Sequence, residues 1–167
     1  RLNRRQRQMC IRDRYDGPAA VRYPRGQGPG EEIDRDLETV KIGKANLLKK
    51  GSSKLIMLNF GSLLNHAKEI AKKYDMTLID MRFIKPFDEG ILKKYSSAKW
   101  FITIEDGSLI GGIGSTIANW VTNQNFKIQV KCFGIPDKFI EHMSREEMIK
   151  EAKLDYESIT KELDKIF

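Results

Sequence analysis

Residues Trp100–Trp120 read WFITIEDGSLIGGIGSTIANW, and their pattern decides the fold class. Trp100 to Ile104 is a short apolar run, rich in β-branched and aromatic residues, of the length of a buried strand. Gly107, Gly111, Gly112 and Gly114 follow as a glycine-rich turn. Ser115 then stands where a helix N-cap belongs, with Ile117, Ala118 and Val121 on one side of the helix it would open. Strand, glycine turn and helix make half of a βαβ unit. The remaining chain repeats the alternation, which predicts an α/β fold: a mostly parallel sheet of about five strands, three layers deep, with helices on both faces.

Working outward, the same logic places the other elements. Val40 to Leu48 carries β-type residues and predicts a first strand. Lys54 to Phe60 (KLIMLNF) is a continuous apolar strand ended by Gly61, and Ser62 is placed to cap a helix bearing Leu63, Leu64, Ala67, Ile70 and Ala71. Thr77 to Asp80 is a third strand. Pro86 sits near the start of a short helix through Ile91 and Leu92. After the central stretch, Ile128 to Phe133 predicts the last strand, with Cys132 as a small core hydrophobe. Ser144-Arg145-Glu146-Glu147 has the form of a capping box, and Asp155 is placed to cap a final helix. The predicted order is β-β-α-β-α-β-α-β-α-α, with the first strand free to run antiparallel.

Upstream, Asp16 to Gly30 (DGPAAVRYPRGQGPG) is rich in glycine and proline, and Glu31 to Thr39 is acidic and polar. A boundary is expected within residues 26–39. The net charge of +7 looks like a nucleic-acid signal until it is localised. Residues 1–15, RLNRRQRQMCIRDRY, hold six arginines and one aspartate, which leaves only +2 for the other 152 residues. That tail has no hydrophobic periodicity and starts on arginine. The string RQRQMCIRDR looks like a translated sequencing-adaptor read-through, so residues 1–15 are expected to be non-native; the rival reading is a basic arm for nucleic acid. No nucleic acid is expected as a partner of the body. No apolar run reaches the ~20 residues of a membrane span, so no membrane is expected either. Cys10 and Cys132 stand far apart without a CxxC or Cys/His cluster, which points away from structural zinc and fits a reducing compartment.

Candidate sites each carry a bland reading. The Gly111–Gly114 turn before a helix N-terminus can hold an anion. It is neither a dinucleotide fingerprint, since Ile117 stands where the third glycine belongs, nor a Walker loop. Glycines serving a tight turn and close packing are the favoured reading. Glu105 and Asp106 stand at the carboxyl end of a strand, where open α/β sheets place ligands. A carboxylate pair there can do acid–base work or cap a helix. Glu105 also fills the first glycine position of a Gly-Asp-Gly diphosphate–metal motif, which excludes it. His66 and His142 are isolated and make poor metal ligands. Arg22-Tyr23-Pro24-Arg25-Gly26 places two arginines around a proline bend. A guanidinium there suits bidentate phosphate binding, and equally suits a surface arginine in a linker.

The strings RYPRG, NFGSLL, DMRFIKPFDEGIL, TIEDGSLIGGIGS, FGIPDKFIEH and SREEM occur in one order from Arg22 to Met148. The series resembles the C-terminal part of the 1-deoxy-D-xylulose-5-phosphate synthase family, transferases of the transketolase type that depend on thiamine diphosphate and magnesium. The resemblance runs from Asp16 to about Ile166. Met143, where glycine is expected after the histidine, is a small departure. It implies condensation of pyruvate with glyceraldehyde 3-phosphate with loss of carbon dioxide, a step of isoprenoid precursor, thiamine and pyridoxal biosynthesis. It implies a homodimer and a cytoplasmic location, a plastid being an alternative. It implies residues 16–39 as the end of a pyrimidine-binding domain plus linker and 40–167 as the transketolase C-terminal domain. The thiamine diphosphate and Mg2+ sites would then lie upstream, with no catalytic, cofactor-binding or metal residue in this chain, which would be inactive alone. Arg25 matches the family's anchor for the aldehyde's phosphate, with Tyr23 as a weak neighbour. The alternatives are a beta-type subunit of a 2-oxoacid dehydrogenase and a non-catalytic interaction domain.

Overall fold

The computed structural model describes residues 17–20 and 40–167. The chain divides into two compact units, Arg1–Glu38 and Thr39–Phe167, and the second carries the elements below. They are β1 (Asn46–Lys49), β2 (Leu55–Phe60), α1 (Leu64–Lys73), β3 (Thr77–Asp80), α2 (Glu89–Lys94), β4 (Trp100–Ser108), α3 (Ile113–Asn123), β5 (Gln129–Ile135), α4 (Arg145–Glu151) and α5 (Tyr156–Leu163). The strands form one sheet in the order β1-β3-β2-β4-β5. β2 is parallel to both β3 and β4, and β4 to β5, while β1 runs antiparallel along β3.

Parallel pairing needs crossovers, and these place helices on both faces. One core holds Met57, Leu78, Ile102 and Ile104 against Ala67 and Ile70 of α1 and Ile159 and Leu163 of α5. The other holds Ile56, Leu58, Ile79 and Phe101 against Leu92 of α2 and Ile117, Trp120 and Val121 of α3. Alternate residues of each central strand thus feed opposite cores, which is why KLIMLNF reads as unbroken apolar sequence.

Three boundaries depart from the sequence-based expectation. Residues 40–45 are not strand: the chain turns at Ile42–Gly43, and the Lys44 N–H donates to the Lys41 carbonyl at 3.2 Å. Propensity there yields to the antiparallel pairing, which begins only where Asn46 meets Asp80. The helix expected near Pro86 starts at Glu89, because Asp88 caps it by accepting the Ile91 N–H at 3.2 Å. The central strand runs past Ile104 to Ser108, so Gly107 lies in β4 rather than in the turn. Ser108 pairs with Ile135 across an irregularity that absorbs the extra residues. The Ser144 capping box forms in full, and Asp155 caps α5 by accepting the Ser158 N–H at 3.1 Å.

Two measurements test this packing. Ile102 is fully buried between β4 and the α1/α5 layer, so Ile102→Ala is expected to cost about 3 kcal/mol in urea unfolding. Asp75 closes the α1–β3 turn. It accepts from the Ser52 hydroxyl and N–H and pairs with Lys49 at 3.1 Å. The Ser52 hydroxyl foremost, then its N–H and the Lys49 ammonium, hold the carboxyl down at about 2. The depressed group stabilises the fold above the unfolded-state range near ~4 and loses that effect as pH falls through about 2. The urea midpoint of wild type is therefore expected to exceed that of Asp75→Asn at pH 6, with the gap closing toward pH 2. A gap independent of pH contradicts this assignment.

Candidate functional site

The sheet order reverses at β2: β3 lies on one side of it and β4 on the other. A ligand site in an open α/β sheet is expected outside the carboxyl ends of the strands at such a reversal. Here that crevice is bounded by Gly61 and Ser62 after β2, and by Glu105 and Asp106 of β4.

Consecutive strand residues point to opposite faces, and the two carboxylates part accordingly. Glu105 turns toward α3. Its Oε1 accepts the Gly114 N–H at 2.8 Å and its Oε2 the Ile113 N–H at 3.2 Å. The side chain is buried, with the residue 5 % exposed. It satisfies two of the orphan donors of the first helical turn and places negative charge at the positive end of the helix dipole. Asp106 turns toward α1. Its Oδ2 accepts the Ser62 hydroxyl at 2.5 Å and the Ser62 N–H at 3.3 Å. Arg145, from the start of α4, completes the group by donating to the Ser62 hydroxyl at 2.5 Å.

The glycines follow from this arrangement. Gly112 is the N-cap of α3, and a Cβ there would lie 2.0 Å from the Ser108 carbonyl and 2.6 Å from both Glu105 carboxylate oxygens. Gly61 has φ +92 and brings its backbone against Asp106. The glycine turn thus serves close approach and packing. Its helix N-terminus, the candidate anion site, already holds a carboxylate from the same chain.

Ser62 and Ser115 do not cap their helices. The N-caps are Leu63 and Gly112, neither with a side-chain bond to the helix. The Ser115 hydroxyl instead donates to the Leu109 carbonyl at 3.0 Å. A cap delivered from a neighbouring strand leaves no local sequence signature; the adjacent acidic residues at a strand end were its only trace. His66 is partly buried on α1 and His142 is exposed. Cys132 is half-buried on β5 rather than fully in the core, and desolvation pushes its thiol up. Among the described residues no three His, Cys, Asp or Glu side chains group as a metal site. Arg25 and Tyr23 lie outside the described residues.

The structure therefore defines a three-layer α/β domain, four strands parallel and the first antiparallel, whose switch-point crevice is closed by its own carboxylates. Residues 43–159 match the family described as "Transketolase, C-terminal domain", and the chain belongs to that family. Among curated proteins it is 44% identical over 152 residues to 1-deoxy-D-xylulose-5-phosphate synthase of Hahella chejuensis, covering 90% of this chain and 24% of that protein. It is 45% identical over 155 residues to the synthase of Francisella tularensis subsp. novicida, covering 91% of this chain and 25% of that protein. The chain thus spans about a quarter of the length of these relatives. A solved structure described as a split gene transketolase, inactive beta4 tetramer, superposes with TM-score 0.70 at 24% identity, covering 81% of this chain and 45% of that one. That likeness speaks to the fold.

The site reading predicts a clear ranking. Glu105→Ala strands two buried N–H groups and is expected to cost about 3 kcal/mol, whereas Asp106→Ala, at an exposed position, is expected to cost about 1 kcal/mol. Urea unfolding measures both. Equal losses would mean that the two carboxylates do not have separate structural roles.

Proposed function

We propose that this chain supplies the C-terminal part of a 1-deoxy-D-xylulose-5-phosphate synthase, which condenses pyruvate with glyceraldehyde 3-phosphate and releases carbon dioxide. The observation that carries the reading is 44–45% identity over about nine-tenths of the chain to curated synthases. Residues 16–39 are read as the end of the pyrimidine-binding domain and the linker, and 40–167 as the C-terminal domain. A homodimer and a cytoplasmic location accompany the reading as features of the family; among the described residues no helix is long and apolar enough to cross a membrane.

The described residues do not fit the family's cofactor, thiamine diphosphate with Mg2+. A diphosphate brought to the glycine turn would meet the Glu105 carboxylate already bonded to the Ile113 and Gly114 N–H groups. Of the two acidic side chains at that end, Glu105 is engaged by the first turn of α3 and Asp106 by Ser62. This domain's own contribution in this reading is scaffolding, through the sheet end that Glu105 and Asp106 tie to α3 and to the entry of α1. In this reading the Arg25 guanidinium anchors the aldehyde's phosphate through charge-assisted bonds, each worth roughly 1.5–3 kcal/mol, and Tyr23 is a weak neighbour.

The test is a chimera in which residues 16–167 replace the matching quarter of the Hahella chejuensis synthase. It is expected to condense the two substrates. Arg25→Ala in that chimera is expected to raise KM for glyceraldehyde 3-phosphate roughly tenfold or more while sparing pyruvate. Arg25→Lys is also expected to impair the aldehyde, because the planar fork is lost. A folded, dimeric chimera without activity counts against the assignment, and unchanged aldehyde kinetics in Arg25→Ala removes that residue from the site.

A further inference from the structure

At the far edge of the sheet, β5 has β4 on one side and no strand on the other among the described residues. Along this edge a cavity of about 340 Å³ opens between β5, the turn after it, and the α4–α5 connection. Its size falls at the lower end of small-molecule sites. Leu109, Phe133, Pro136 and Leu154 line its apolar walls.

Its charges are unevenly matched. Lys131, Lys138 and Lys153 line it with Glu151 and Glu162. Lys138 is paired with Glu151. Glu162 is held from outside by Lys165 at 2.5 Å, which leaves Lys131 at 4.0 Å from the same carboxylate. Lys131 is steadied instead by the Phe133 ring, whose centroid lies 5.5 Å from its Nζ. Among the described residues Lys153 makes no ion pair within 4.0 Å. It occupies a left-handed position, φ +57, just past the end of α4, where glycine is the least strained residue. Three lysines against two glutamates thus leave an excess of positive charge along a pocket with apolar walls, with Lys153 lying within electrostatic reach of Glu151 and Glu162 without pairing with either.

We propose that this cavity binds a small organic anion, a carboxylate or phosphate on a short apolar body, with Lys131 and Lys153 as its charge partners. The apolar walls take the body of the ligand, and the two ammonium groups take its charge by displacing water rather than by breaking the Lys138–Glu151 pair.

The experiment titrates the isotope-labelled 167-residue chain, carrying Arg25→Ala to remove the linker guanidinium, with inorganic phosphate and separately with butyrate. Sodium chloride at matched ionic strength is the reference. Amide resonances of Leu109, Gly134 and Lys153 are expected to shift saturably for at least one anion, with Kd on the order of 1 mM. Phosphate alone saturating identifies the phosphate source, and butyrate alone the carboxylate. Lys131→Gln with Lys153→Gln is expected to weaken binding roughly tenfold. Lys68→Gln on α1, outside the cavity lining, is expected to leave binding unchanged. Shifts linear in both anions, or a Kd indifferent to the double substitution in a chain whose circular dichroism is unaltered, would overturn the proposal. Because Arg25 is absent and no turnover is measured, its outcome is independent of the synthase reading.

Discussion

The structure depends on two neighbouring carboxylates at the end of the central strand being sent in opposite directions. β4 supplies residues to both cores, and at its carboxyl end the pleat turns Glu105 to one face and Asp106 to the other. Each meets the start of a helix that packs on its own face. Glu105 ties α3 to the sheet through two backbone donors, and Asp106 ties the entry of α1 through Ser62. Arg145 adds the start of α4 to the second group. Three helices are thereby referenced to one dipeptide, so their positions are coupled through the strand.

This arrangement explains why a topologically favoured ligand crevice is a structural joint here. A helix N-terminus attracts anions because its first N–H groups lack partners. When a buried carboxylate from the same chain fills that role, an external phosphate has to displace a preorganised charge and leave it without partners. The glycines that invite comparison with nucleotide-binding loops serve the same end. Gly112 lets the helix start come within contact of β4, and any side chain there would overlap the carboxylate it is meant to meet.

Much of the architecture was legible in the sequence because it rests on local rules. KLIMLNF could only be a strand buried on both faces, and Ser144 with Glu147 formed the capping box their spacing announces. The antiparallel first strand was open to the sequence reading, but its start was not. β-branched residues from Val40 onward suggested strand, while pairing waits for Asp80 to come into register with Asn46. The serines failed as caps for a related reason. Ser62 has the right chemistry, but its hydroxyl and N–H are both given to Asp106, 44 residues away in sequence. Ser115 lies inside a helix that starts at Ile113, whose Ile113 and Gly114 N–H groups are taken by Glu105, and its hydroxyl donates to the Leu109 carbonyl. Long-range capping competes with local capping, and nothing in a short window reports the competitor.

The division of labour in the domain follows. A site meant to bind and release substrate needs groups left partly unsatisfied until the ligand arrives. At the switch point Glu105 and Asp106 already have partners, so that end of the sheet is suited to rigidity. At the β5 edge, Lys131 is shared with a glutamate that another lysine already holds, and Lys153 is unpaired among the described residues. Both tendencies come from one chain of causes. The carboxylates at the crevice are fixed by strand geometry and by hydrogen bonds to α3 and Ser62, whereas at the edge Lys131 rests against the Phe133 ring and Lys153 has no ion pair among the described residues. Charge that the fold does not need for its own helices is therefore left at the sheet's open edge, where a small anion meets less competition from the protein itself than at the crevice.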